Sequence, residues 1–323
     1  MFSKGNILLI HQGAIGDLIL SLPVFYALHN AFPGARFEVM GYPAILSLIH
    51  KRFYADHISS IDRAEVASLY HEKSEPQTHL INYFKKFDKL FIFGSKSQEV
   101  VADNVARIKG PEVYHIETFP EDNDVHIIDF QADQIATLGF TVASRVPEIF
   151  LVEADSNQAQ QFLQSQSLHS TSNPLIAIHP GSGSWQKNWP AAQYISLIKN
   201  LYRELDGTFI IIEGPADGDA VNYIRGELRD TPLLLLQNLE LRLLASIVKQ
   251  CSVYMGNDSG ITHVAAALGV PVIAIFGPTD PRVWGPRGKH VNILRGIMPG
   301  SKDWRWVEYG EAVTSALRAL YYA

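Results

Sequence analysis

The chain has 323 residues, 47% hydrophobic and 19% charged, with a net charge of −6 and a mean hydropathy of +0.02. These values exclude a disordered or membrane-spanning chain, and the acidic balance excludes broad nucleic-acid binding, which needs surplus Lys and Arg to displace counterions. The single cysteine, Cys251, lies in an apolar stretch and reads as a small buried hydrophobe, so neither a disulfide framework nor a cysteine zinc site is expected. The apolar run before His11 is too short for a signal peptide. The longest apolar region, 264–276, is broken by Gly269 and Pro271 and falls short of the ~18 to 20 residues of a membrane span. A cytoplasmic protein of two domains is the expectation.

Taken in chain order, strand-like runs at 6–11, 36–41, 57–61, 88–93 and 111–115 alternate with helical patterns at 17–31, 43–52, 97–107 and 124–139. Segment 64–86, with mixed charge and Pro76, gives no clear pattern. The Gln- and Ser-rich stretch 151–173 reads as a surface helix and linker, and the domain boundary is placed there. Beyond it the alternation is more regular. Strands are expected at 174–179, 208–213, 232–236, 252–256 and 270–276, and helices at 190–205, 217–229, 240–250 and 259–268. The pattern weakens after Pro286, and an amphipathic helix from about Trp304 to Tyr322 ends the chain. The reading is therefore α/β, with Rossmann-like parallel-sheet domains over 1–150 and 151–303. The terminal helix, 304–323, is expected to pack back on the first domain. Ligands of such sheets bind at the carboxyl ends of the strands.

Four segments place chemistry at those ends. Gly13-Ala-Ile-Gly16-Asp17 follows the first strand and lacks the third glycine of a dinucleotide fingerprint. Asp17 reads either as an N-cap or as a carboxylate serving as general base. In His179-Pro-Gly-Ser-Gly-Ser-Trp-Gln-Lys-Asn-Trp-Pro190, small residues let the backbone approach a ligand and Lys187 can neutralise phosphate. Glu213, at the end of an apolar strand, suits ribose hydroxyls, while Asp217 reads as a helix cap. In Gly256-Asn-Asp-Ser-Gly-Ile-Thr-His263, Asp258 is expected to cap a helix whose first amides, from Ser259 and Gly260, bind an anion, with His263 pointing to the same end. Asp122-Asn-Asp124 is an Asp-x-Asp that could hold a metal diphosphate, but it reads as an acidic loop.

Together, ILLIHQGAIGDLILSLPV, HPGSGSWQKNWP and the run DSG-x-x-H-x-AAALGVPVIAIFGPTDP resemble glycosyltransferase family 9, whose best-known members are ADP-heptose:lipopolysaccharide heptosyltransferases. The resemblance implies a GT-B fold, in which two Rossmann-like domains face a central cleft. It also implies inverting, metal-independent transfer from a nucleotide sugar, with ADP-heptose the expected donor and no cofactor required. By resemblance Asp17 is the catalytic base and Lys187 the donor-phosphate lysine. Glu213 is the ribose acid, Asp258, Ser259, Gly260 and His263 form the diphosphate turn, and Ser182 and Ser184 line the phosphate loop. An anionic glycolipid or glycan acceptor of the lipopolysaccharide-core type is expected. Gly16, Lys51, Arg52, Arg63, Lys85 and Lys86 are its candidate contacts. Exposed-looking aromatics at Phe53, Tyr54, Tyr83 and Phe84 would suit peripheral contact with the inner membrane surface. A sugar-nucleotide epimerase of GT-B type and a non-catalytic nucleotide-sugar binding protein are the alternatives. A nucleotide-dependent oxidoreductase lacks its glycine fingerprint.

Overall fold

The computed structural model describes residues 5–71, 77–121, 124–168, 173–297 and 305–321. It divides into two compact units, Met1–Phe150 and Leu151–Ala323. The first unit contains strands β1 (Asn6–His11), β2 (Arg36–Gly41), β3 (His57–Ser60), β4 (Lys89–Gly94) and β5 (Glu112–Glu117). Its helices are α1 (Ile15–Ala31), α2 (Pro43–Leu46), α3 (Ala64–Ala67), α4 (Thr78–Phe84), α5 (Glu99–Ala106) and α6 (Ile127–Thr137). The strands pair in parallel in the order β3-β2-β1-β4-β5. β1 is central, and Leu8 and Ile10 bury one face of it in a cluster with Leu80, Phe84, Leu90 and Val105. Such all-round burial is why NILLIH reads as a continuous apolar run rather than an alternating one.

The second unit contains α7 (Glu153–Ser165), β6 (Leu175–His179), α8 (Ala191–Leu205), β7 (Thr208–Glu213), α9 (Gly218–Glu227), β8 (Leu233–Gln237) and α10 (Leu241–Val248). It continues through β9 (Val253–Asn257), α11 (Gly260–Ala267), β10 (Val272–Phe276), α12 (Pro281–Trp284), β11 (Val291–Arg295) and α13 (Tyr309–Tyr321). Its six parallel strands lie in the order β11-β10-β9-β6-β7-β8. In each sheet the chain first builds outward from one strand and then returns to build on its other side. The reversals fall between β1 and β4 and between β6 and β9, and crevices at such reversals are where α/β sheets hold ligands.

Three expectations need correcting. The helix expected at 43–52 stops at Leu46; residues 47–55 form tight turns, with Lys51 at φ 53. Edge strand β11 was hidden because three of its five residues are only partly buried and Asn292 and Arg295 are exposed. The last helix, expected on the first domain, packs within the second unit, where Ala312 and Ala316 join the core around Trp189, Tyr194 and Ile273. Small side chains on its inner face let it lie close over α8 and the strands. Trp304, the expected start of that helix, lies outside the described residues, as do Asp122 and Asn123 of the Asp-x-Asp. Cys251 is buried, and burial pushes its thiol up to about 12.

Candidate functional site

At the reversal of the first sheet, β1 ends in His11 and the chain turns through Gly13 into α1. The N-cap of α1 is Ala14, so Asp17 is the third helical residue and not the cap itself. Its carboxylate reaches back and accepts the Ala14 N–H through Oδ2 at 2.8 Å. The first helical turn is also where the helix dipole stabilises negative charge. Gly13 allows this approach, because a Cβ there would overlap Asp17 and the His11 ring. Beneath Asp17, the Gly13 N–H donates to His11 Nδ1 at 3.2 Å. His11 Nε2 then donates to Ser21 Oγ at 3.2 Å, and Ser21 donates to the Asp17 carbonyl at 3.0 Å. Nδ1 is occupied as an acceptor, which makes the ring neutral; burial lowers its pKa to about 4. Across the reversal, Gln98 donates to Gln12 at 2.7 Å, so loops after β1 and β4 are tied together beside Asp17.

Four of the six candidate acceptor residues do not share that end of the sheet. Lys51 and Arg52 lie in the turn before β3, and Lys85 and Lys86 lie between α4 and β4, where the Lys86 carbonyl accepts from Asn6 at the start of β1. These four lie at the amino ends of parallel strands, opposite Asp17. Arg63 follows β3 and lies at the carboxyl end, although its guanidinium stacks over the Tyr83 ring, 5.8 Å from the centroid. Gly16 is the second residue of α1, next to Asp17. Of the four aromatics expected at the surface, Tyr54 and Phe84 are buried and Tyr83 is half-buried, its hydroxyl bonded to Glu38 and Ser59. Phe53 is exposed, but it stacks on Tyr26.

At the reversal of the second sheet, β6 ends in His179 and β9 in Asn257. The fully buried Asn257 side chain organises the glycine-serine loop: it donates to the Pro180 carbonyl at 2.7 Å and accepts from the Trp189 amide and the Tyr194 hydroxyl. Within that loop Ser182 Oγ lies 2.7 Å from both the Ser184 carbonyl and Asn188 Oδ1 and accepts the Ser184 N–H at 3.2 Å. The serines thus shape the loop from within. Lys187, a little over a third exposed, makes an ion pair with the buried Asp258 carboxylate at 2.8 Å. Asp258 therefore does not cap α11. The N-cap is Ser259, and the first intrahelical bonds run from Thr262 N and His263 N to its carbonyl. The amides of Gly260 and Ile261 lie ahead of those bonds, where a helix presents N–H groups and its positive dipole end to an anion. His263 is buried in the first turn of α11.

Glu213 ends β7, and the Gln237 amide at the end of β8 donates to it. Gln237 was not singled out in the sequence because β8 carries no turn motif after it. His179 was not singled out in the sequence, and Asp217, read there as a helix cap, does stand at the N-cap position of α9. Its side chain makes no capping bond there. Instead Oδ2 accepts the Gly214 N–H at 2.8 Å and contacts His179 Nε2 at 3.0 Å. Burial pushes the Asp217 pKa up, but these hydrogen bonds outweigh it and hold the group below the usual carboxylate range. Gly181 is required by this packing, since a Cβ there would fall inside the Asp217 carboxylate. The signal available in the sequence was a histidine at the end of one apolar strand and an acid in the short turn after another.

The sequence pattern of Glycosyltransferase family 9 (heptosyltransferase) matches residues 126–308, more than half of the chain. Lipopolysaccharide heptosyltransferase 2 of Escherichia coli K12 is 23% identical over 316 residues, covering 90% of this chain and 88% of that protein. Among solved structures, a glycosyl transferase family 9 protein from Veillonella parvula superposes with a TM-score of 0.83 at 19% identity, covering 99% of this chain and 98% of that one. The E. coli ADP-heptose lps heptosyltransferase II does so with a TM-score of 0.76 at 18% identity, covering 98% of both chains. The two parallel sheets are thus of the GT-B class, and no helix among the described residues is long and apolar enough to cross a membrane. With the family pattern spanning the whole glycine-serine loop after β6 and the α11 terminus, the chain belongs to glycosyltransferase family 9 and is a glycosyltransferase.

Proposed function

We propose that the chain is an inverting heptosyltransferase that moves heptose from ADP-heptose onto an anionic acceptor of the lipopolysaccharide-core type. It would work at the cytoplasmic face of the inner membrane, which it touches peripherally. The observation that carries the reading is the Lys187–Asp258 ion pair beside the free-running amides at the start of α11, all at the reversal of the second sheet. A diphosphate there meets a lysine already oriented by a carboxylate and the positive end of a helix. As the sugar–phosphate bond breaks, charge gathers on the leaving diphosphate, and Lys187 with the Gly260 and Ile261 amides stabilises it. Glu213, held by Gln237, accepts from ribose hydroxyls. In the first unit Asp17 takes the proton of the attacking acceptor hydroxyl. The Ala14 amide occupies one of its oxygens and fixes the carboxylate's orientation, so capping and catalysis are not exclusive.

A relative named for lipopolysaccharide heptosyl transfer and a structural neighbour titled for ADP-heptose support the choice of sugar and nucleotide. The test is a turnover assay with ADP-heptose and other nucleotide sugars, with and without a lipopolysaccharide-core acceptor. Heptose transfer that requires the acceptor is expected. Acceptor-independent conversion of the nucleotide sugar would establish the epimerase instead, and binding without turnover would establish a binding protein.

A further inference from the structure

Five hydrogen bonds run in one buried chain beneath the α11 terminus. Asp217 Oδ2 meets His179 Nε2 at 3.0 Å, and His179 Nδ1 meets Ser259 Oγ at 3.1 Å. Ser259 Oγ meets Thr262 Oγ1 at 3.1 Å, Thr262 donates to the Asn257 carbonyl at 2.5 Å, and the Tyr254 hydroxyl meets Thr262 Oγ1 at 3.0 Å. All six residues are less than a tenth exposed. Each contact needs one proton, and the side chains supply them only in fixed numbers. Ser259, Thr262 and Tyr254 bring one each. A neutral imidazole brings a fourth, which leaves two oxygens or a nitrogen and an oxygen facing each other with no hydrogen between them. A ring protonated on both nitrogens brings the fifth, and then every contact has one donor and one acceptor. The extra proton belongs on the ring, because Asp217 Oδ2 already accepts the Gly214 N–H at 2.8 Å and is the acceptor in its contact with His179 too. The count at His11 comes out the other way: its Nδ1 accepts a backbone N–H, and that ring is complete when neutral.

We propose that His179 is held as an imidazolium by Asp217 and is the positioning residue that locks the ends of β6, β7 and β9 into the shape that receives a nucleoside diphosphate. The chain starts in the loop after β7, passes through the end of β6 and finishes in the turn between β9 and α11. Breaking it frees three loops at once. It also turns the Ser259 hydroxyl inward, so Ser259 offers an anion its backbone N–H and not its side chain. The functional half of this inference rests on the assignment of these loops to the donor; the protonation state does not.

The test uses the full chain labelled with ¹⁵N in its histidine rings, with ADP as the probe. The His179 signal is identified by its loss in His179→Gln, or by its displacement in Ser259→Ala should the first variant not fold. Both ring nitrogens of the wild-type residue are expected to carry protons near neutral pH, and Asp217→Asn is expected to return the ring to a neutral form. One unprotonated nitrogen in the wild type would overturn the proposal. In calorimetry, His179→Gln and Asp217→Asn should each weaken ADP binding about tenfold. Unchanged ADP affinity with an imidazolium present would overturn the positioning role. Failure of the wild type to bind ADP would overturn the donor assignment instead and leave the protonation result standing.

Discussion

Asp17 and Lys187 illustrate how a single side chain serves local structure and chemistry together. Asp17 spends one oxygen on the Ala14 amide, a bond of the kind that contributes about 1 kcal/mol to a helix start. Asp17→Asn retains an acceptor for that amide and loses the base. Turnover should fall at least about a hundredfold while donor KM stays unchanged, as steady-state kinetics would show; an active variant would remove Asp17 as base. Lys187→Ala is a less clean deletion, because it leaves the Asp258 carboxylate buried beside no cation. The double variant Lys187→Ala/Asp258→Asn relieves that stranded charge. If Lys187 contacts phosphate, the double variant should regain thermal stability over the single one and still bind ADP at least about tenfold more weakly than wild type.

At the scale of elements, parallel strands separate charges that look adjacent in the sequence. Lys51 and Arg52 precede β3, Lys85 and Lys86 precede β4, and Asp17 follows β1. A strand of six residues is roughly 20 Å long, so side chains at its two ends serve different surfaces. Neutralising these four residues together should therefore leave the acceptor KM within about twofold of wild type, since solvated charges away from a site contribute little. A selective rise in acceptor KM would place the acceptor on the amino-end surface. Arg63 follows β3 at the carboxyl end, but its guanidinium and the Lys86 ammonium both lie over the Tyr83 ring. Glycine matters at this scale where loops meet: Gly13 and Gly181 let one loop pass against the carboxylate of another residue, and neither position leaves room for a Cβ.

For the whole molecule, buried ionisable groups set how stability follows pH. His11 titrates at about 4 in the folded chain against 6.5 when exposed, because burial disfavours its charge. Between those values the unfolded chain binds the extra proton, so this contribution is complete above pH 6.5 and is lost as pH falls toward 4. At pH 5 the loss amounts to roughly 2 kcal/mol. Urea denaturation at pH 7.5 and pH 5 should show His11→Gln losing less stability on acidification than wild type, and equal losses would contradict this account. The sequence by itself determined the alternation of strands and helices, because strands buried on both faces and helices with one apolar face carry their period in the chain. It also marked the turn residues from which the family could be read, since strand ends with glycine and acid are local features. Only the tertiary structure decided what those residues do. Whether Asp217 caps α9 or reaches across to His179, whether Asp258 caps α11 or pairs with Lys187, and which lysines share an end of the sheet with Asp17 all depend on which strand lies beside which. That order is fixed by packing between segments tens of residues apart, and no local pattern records it.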